Sequence, residues 1–350
     1  MRSLHFLVPG DLQSATGGYG YDRCIIAGLR QIGWRVEVHS LDGSFPFPTG
    51  AALAAADRVF AGIPDDGLVM VDGLALGAMP EAAARHAGRT RLVALVHHPL
   101  AAETGLSRED ASRLDHSERA SLRVVRHVFV TSEATADALA RYDVDRGRIS
   151  VIVPGTDEAP LAPGSRDGTI HLLCVATVTP RKGHDLLIDA LAALKSLPWN
   201  LTCVGSLARS VGTVAALRGQ IDRAALDERV TLAGELMGAP LEAVFQSADL
   251  FVLPTRHEGY GMVVAEALAR GIPVISTRTG AIPELVGANA GVLVPPDDGA
   301  AFRDALARVL RDPALLASLR EGARHARNRL PRWPHSCARM SQVLEQMLPS

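Results

Sequence analysis

The sequence predicts an α/β protein made of two similar units, each built on a parallel β-sheet. Three observations lead there. Short apolar runs of strand length alternate with longer segments of helical periodicity along the 350 residues. A stretch at 154–168, PGTDEAPLAPGSRDG, is rich in Pro and Gly, has no apolar periodicity, and reads as a linker after which the alternation restarts. The length is too great for one ordinary core and suits two domains of common size.

In the first half, strands are expected at 4–9, 35–39, 68–71, 91–96, 127–131 and 149–153. Helices fill most gaps, including 20–32, 78–87, 108–125 and 133–141. After the linker, strands are expected at 170–176, 200–204, 229–233, 249–253, 273–276 and 291–294, with further helices near 298–310, 313–328 and 333–347. This gives an N-terminal domain over 1–163 and a C-terminal domain over 168–331, with the last helix, 333–350, crossing back onto the first.

Apolar residues make up 47% and charged residues 21%, which is a packed globular composition. The formal net charge is −2, and neither half is polybasic, so no nucleic-acid partner is expected. Lys182 and Lys195 are the only lysines. Cys24, Cys174, Cys203 and Cys337 are scattered, with no CxxC and no Cys/His pair at zinc spacing. A reduced, cytoplasmic setting follows. The opening apolar run is too short for a signal peptide, and no stretch reaches the length of a membrane span, although peripheral membrane contact stays open.

In parallel sheets of this type, ligands bind beyond the carboxyl ends of the strands, so loops that follow strands are the places to look for chemistry. The richest follows the strand at 249–253: Pro254-Thr255-Arg256-His257-Glu258-Gly259-Tyr260-Gly261-Met262-Val263-Val264-Ala265-Glu266. A glycine loop opening a helix offers free N–H groups and the positive end of the helix dipole, which suit a phosphate. Glu266 lies within an apolar helix, where a carboxylate needs a partner. Sugar hydroxyls could serve, and Arg270 at i+4 is the plain alternative.

The second loop, Thr177-Val178-Thr179-Pro180-Arg181-Lys182-Gly183, places an Arg and a Lys together, as neutralising a diphosphate requires. The third, Gly10 to Gly20, contains Gly17 and Gly18. It fails the dinucleotide fingerprint, because Arg23 occupies the third glycine position, and no ribose-binding acid ends the second strand. The fourth is His97-His98-Pro99 at the end of a strand. His97 directly follows the apolar run and is the better catalytic candidate; His98 is the competitor. Asp143-Val144-Asp145 superficially matches a metal-binding Asp-x-Asp but sits in a polar turn.

Residues 249–287 resemble the glutamate–seven residues–glutamate motif of the family 4 retaining glycosyltransferases, with Glu258 and Glu266 as the two glutamates. The Arg181–Lys182 pair resembles that family's diphosphate-binding pair, although Ala176-Thr177 stands where a Gly-Arg often opens it. The resemblance implies the GT-B fold, two Rossmann-like domains facing each other across a cleft. It implies transfer of a hexosyl group from a nucleoside diphosphate sugar to an acceptor hydroxyl with retention, without a metal or other cofactor. It assigns catalysis to His97, Glu258, Arg181 and Lys182. It assigns donor binding to these same Arg, Lys and Glu residues with Gly17, Gly18, His98, Gly259, Tyr260, Gly261, Met262, Val263 and Glu266. A nucleotide-sugar epimerase and a non-catalytic nucleotide-sugar-binding protein are the alternatives. The acceptor and the nucleotide base are not legible.

Overall fold

A computed structural model describes residues 2–348. They form two compact units: residues up to Gly155 together with those from Pro331 on, and Thr156–Leu330.

The first unit holds a six-stranded, all-parallel sheet of β1 (Ser3–Pro9), β2 (Arg35–Leu41), β3 (Leu68–Asp72), β4 (Arg91–Val96), β5 (His127–Val130) and β6 (Ile149–Val151). The spatial order is β2-β1-β3-β4-β5-β6. β3 is buried along its whole length, as expected of a parallel strand covered on both faces. The covering helices are α1 (Gly17–Gln31), α2 (Gly50–Ala61), α3 (Gly73–Leu76), α4 (Pro80–Ala87), α5 (Arg108–Val124) and α6 (Glu133–Ala138). α2 lies in a gap the sequence leaves unassigned; Thr49 caps it, accepting from the Ala52 N–H at 3.1 Å.

α1 corrects an expectation. It begins at Gly17, capped by the Thr16 hydroxyl, so Gly17 and Gly18 form the first helical turn and not a loop. Asp143 and Asp145 lie, as expected, in an exposed polar turn. Asp143 takes a left-handed backbone and pairs with Arg119 at 3.0 Å, while Asp145 caps a short 3-10 turn.

The second unit holds β7 (Ile170–Val175), β8 (Trp199–Val204), β9 (Val230–Gly234), β10 (Leu250–Leu253), β11 (Val274–Thr277) and β12 (Gly291–Val294), again all parallel. The order is β12-β11-β10-β7-β8-β9. Its helices are α7 (His184–Ala192), α8 (Val211–Arg223), α9 (Ala239–Ser247), α10 (Met262–Ala269), α11 (Ile282–Val286), α12 (Gly299–Arg311) and α13 (Pro313–Arg327).

In this unit the chain order reverses between β7 and β10, and in the first unit between β1 and β3. At such a switch point the connections leave the two neighbouring strands in opposite directions, so the loops at their carboxyl ends part and leave room for a ligand.

The division falls at Gly155/Thr156 and not at 163–168. Residues 156–163 form neither helix nor strand, yet they bond into the second unit. The Ala162 N–H donates to the Arg270 carbonyl at 2.9 Å, and Arg327 donates to the Ala159 carbonyl at 2.8 Å. Past Leu330 the chain returns to the first unit as α14 (Trp333–Glu345), which packs on α1. Trp34 Nε1 donates to Ser341 Oγ at 2.8 Å, Ser336 Oγ donates to the Val153 carbonyl at 2.7 Å, and Trp333 stacks edge-on to Tyr21. Among the described residues, no helix is long and apolar enough to cross a membrane.

The α1–α14 contact is close enough to require a glycine. A Cβ added at Gly28 would lie 2.2 Å from Cys337 Sγ and 2.9 Å from its Cβ. Gly28→Ala is therefore expected to cost about 1–3 kcal/mol in chemical denaturation. Cys337→Ala in the same background should recover part of the loss. An unchanged midpoint in the single variant would show that the two helices are not in this contact.

Candidate active site

In the second unit, β7 and β10 are hydrogen-bonded neighbours at the switch point. The loop after β7 forms one 3-10 turn, Pro180–Lys182, closed by Gly183 at φ +71°. A Cβ on Gly183 would stand 2.1 Å from the Pro254 carbonyl oxygen, so only glycine lets the two loops approach this closely. The loops are then tied together. The Arg256 N–H donates to the Arg181 carbonyl at 2.7 Å, and Thr255 Oγ1 donates to the same oxygen at 3.2 Å. The Arg256 side chain forks onto Asp185 at 3.0 and 2.7 Å, reaches Asp297 at 2.6 Å, and donates to the Pro180 carbonyl.

The tie brings the sequence-predicted residues together. Lys182 Nζ lies 2.5 Å from Glu258 Oε2, and Arg181 Nη1 lies 3.9 Å from the same oxygen. Arg181 also donates to the His257 carbonyl at 2.9 Å. The Lys182 and Glu258 side chains are each only 13% exposed. Desolvating two charges offsets most of their attraction, so an apolar pair would serve stability as well.

Glu258 leads into α10 through Gly259, Tyr260 and Gly261, the last left-handed at φ +93°. Gly280 supports this turn from behind, where a Cβ would fall 1.9 Å from the Glu258 carbonyl oxygen. The N–H groups of Met262 and Val263, at the helix start, have no acceptor among the described residues. The Tyr260 hydroxyl is buried and unpartnered among them.

Glu266 lies one to two turns further along α10, half-buried. Arg270 does not neutralise it by an ion pair. Arg270 pairs instead with Glu242 at 2.5 Å and donates to the Glu266 backbone carbonyl at 2.9 Å. The Glu266 carboxylate makes no hydrogen bond among the described residues. Desolvation raises its pKa to about 7, with Arg270 opposing and Asp157 adding to the rise. It has the unmet need for donors that the sequence suggests, but nothing joins it directly to the Lys182–Glu258 pair.

In the first unit, His97 and Gly18 meet: a Cβ on Gly18 would stand 3.3 Å from the His97 ring. The sequence reading missed the partners of this histidine. His97 Nε2 lies 3.2 Å from Asp22 Oδ1 and 3.5 Å from Asp72 Oδ2. Asp22 comes from α1 and Asp72 ends β3, on the two sides of that sheet's switch point. His98 turns elsewhere and pairs with Glu103 at 3.6 Å. Gly17 has open space around it.

Three groups of side chains are close enough to share an ion: Asp22–Asp72–His97, His5–Glu37–His39 and Cys174–His184–Cys203. The third escapes a search for zinc spacing because its cysteines are register partners on β7 and β8, far apart in sequence. All four cysteines are free thiols.

Two doubly wound units, one with a cation pair and a glycine-rich helix start at its switch point, define the GT-B class. Residues 68–159 match the family model described as Glycosyltransferase Family 4, and 169–312 match that described as Glycosyl transferases group 1. The D-inositol 3-phosphate glycosyltransferase of Corynebacterium efficiens is 32% identical over 267 residues, 67% of this chain and 62% of the relative. That of Corynebacterium glutamicum is 30% identical over 281 residues, 72% of this chain and 66% of the relative. The match thus spans a little under two thirds of these relatives' length. Among solved structures, sucrose-phosphate synthase from Thermosynechococcus elongatus superposes with a TM-score of 0.84 at 22% identity, covering 99% of both chains. The Anabaena protein HepE, solved with UDP and glucose, gives 0.77 at 19% identity, covering 97% of this chain and 99% of its own. The chain belongs to the family 4 glycosyltransferases.

Glu266 yields a pH-dependent expectation. Its folded pKa is raised above that of the unfolded chain, so the folded state holds the proton more tightly, and stability falls as pH rises from about 4.5 to about 7. Glu266→Gln should therefore raise stability at pH 8 by roughly 1–3 kcal/mol, discounted for partial exposure, and change it little at pH 5. Melting curves at the two pH values read this, and equal effects at both would contradict it.

Proposed function

We propose that this chain transfers a hexosyl group from a nucleoside diphosphate sugar to an acceptor hydroxyl, with retention of configuration and without a metal ion. The observation that carries this reading is the meeting of Arg181, Lys182 and Glu258 at the switch point of the second unit. Breaking the glycosidic bond places a developing negative charge on the diphosphate. A guanidinium and an ammonium already held in place stabilise that charge without reorganising. Arg181 suits two phosphate oxygens at once and Lys182 a single one. They take the part a divalent cation plays in other transferases.

Glu258 orients the sugar by accepting from its hydroxyls. The free N–H groups of Met262 and Val263, with those of Gly259–Gly261, face sugar or phosphate oxygens. Glu266 accepts from the ribose, and that hydrogen bond relieves its desolvation. The reaction is a same-face displacement in which the departing phosphate oxygen takes the proton of the attacking hydroxyl, so no protein carboxylate is spent as a nucleophile. His97, Gly18 and the first unit serve the reacting centre and the acceptor. HepE was solved with UDP and glucose, and the curated relatives are named for inositol 3-phosphate. A UDP-sugar and an inositol phosphate are therefore the first donor and acceptor to test.

Lys182→Ala and Glu258→Ala should each lower kcat by about 10²–10³-fold. Either variant removes one partner of a mostly buried ion pair, so the double variant Lys182→Met/Glu258→Met serves as the folding control; it should melt like the parent and remain inactive. EDTA should leave the rate unchanged. An isomerised donor formed without acceptor, or activity that requires a divalent cation, would contradict the proposal.

A further inference from the structure

His97 is held in an unusual way for a histidine at a strand end. Two carboxylates address one ring nitrogen, Asp22 Oδ1 at 3.2 Å and Asp72 Oδ2 at 3.5 Å from Nε2. Ionised carboxylate oxygens accept and do not donate, so two of them facing Nε2 favour a proton on that nitrogen. The other nitrogen, Nδ1, makes no hydrogen bond to any described residue, and the side chain is 19% exposed. The ring is thus fastened along one edge and open along the other. Each fastening is itself fixed. Asp72 Oδ1 accepts from the Leu74 N–H at 2.7 Å as the cap of α3. Asp22 is fully buried, and its second oxygen is unpartnered among the described residues.

The charges around the ring favour its protonated form. Burial disfavours the imidazolium, but the two carboxylates outweigh burial and raise the His97 pKa well above that of a free histidine. Burial in turn raises the pKa of Asp22, with His97 opposing. No Arg or Lys among the described residues pairs with either aspartate. The other neighbours bring no competing charge. Tyr21 from α1 stands edge-on to the ring at 5.4 Å, and the hydroxyls of Thr131 and Thr135, beyond β5, donate to the His97 carbonyl at 3.4 Å. Gly18 lies against the ring, where a Cβ would stand 3.3 Å from Cδ2.

We propose that Asp22 and Asp72 are positioning residues that clamp His97 by Nε2 and present its Nδ1–H outward as a fixed, charged hydrogen-bond donor to a substrate oxygen. His97 then acts as a donor and not as a base. This deepens the transferase reading and rests on it for the identity of the substrate. It also agrees with its chemistry, since a departing phosphate that takes the acceptor's proton leaves no proton for a histidine to remove.

Long-range 1H–15N spectra of the full, ligand-free chain test the clamp without using activity. Both His97 ring nitrogens should stay protonated at about pH 7.5. In Asp22→Asn/Asp72→Asn, which keeps the Oδ1 that caps α3, the ring should be neutral at that pH. A neutral His97 in the unaltered chain would overturn the proposal. With the UDP-sugar and acceptor found active, Asp22→Asn should lower kcat by about tenfold or more with donor KM nearly unchanged. The basic limb of its pH profile should also move to lower pH. An unchanged kcat and profile would remove the positioning role while leaving the transferase reading intact. If the unaltered chain transfers nothing, the transferase reading fails, and the spectra still decide the clamp.

Discussion

The second unit depends on how closely the loops after β7 and β10 can approach. These strands are neighbours at the point where chain order reverses, so their connections run apart and the space above them would be empty without further ties. Arg256 supplies the ties: its backbone N–H holds the Arg181 carbonyl, and its guanidinium grips Asp185, Asp297 and the Pro180 carbonyl. Gly183 makes the approach possible, since a side chain there would enter the Pro254 carbonyl oxygen, and Gly280 backs the Glu258 turn from the loop after β11. With the backbones fixed, Lys182 and Glu258 fall at 2.5 Å by geometry and not by flexible search. Fixed charges of this kind are what electrostatic catalysis requires.

The first unit solves a related problem with other chemistry. There the switch point lies between β1 and β3, and the groups gathered at it are Asp22, Asp72 and His97. Both units therefore place polar, mutually neutralising side chains where the sheet topology opens a crevice. In each, a glycine keeps the backbone close: Gly183 behind the Lys182 turn and Gly18 against the His97 ring.

The strands were legible because parallel strands covered on both faces read as short continuous apolar runs, and LVMV at β3 or LFVL at β10 admit little else. The Arg181–Lys182 and Glu258–Glu266 residues were legible because they follow strands. Asp72 obeys the same rule and could have been found by it, since it ends β3. Asp22 could not: it is an ordinary-looking helical residue whose role comes from tertiary placement beside β4. Arg256 was hidden by composition, being one Arg among many, and its value lies in three partners remote in sequence. The linker boundary was misplaced because 156–163 has linker composition yet bonds to Arg270 and Arg327. The i, i+4 spacing offered Arg270 as the plain alternative partner of Glu266; Glu242, brought alongside by the fold, takes that arginine instead.

The central claim is that the cations at the β7–β10 switch point hold a diphosphate. Calorimetric titration with UDP and with uridine tests it most directly, in the unaltered chain and in Arg181→Gln/Lys182→Gln. The account predicts that UDP binds at least about tenfold more tightly than uridine, and that the variant loses most of this difference while its uridine affinity stays the same. Equal affinity for the two ligands in the unaltered chain, or an undiminished preference for UDP in the variant, would contradict it.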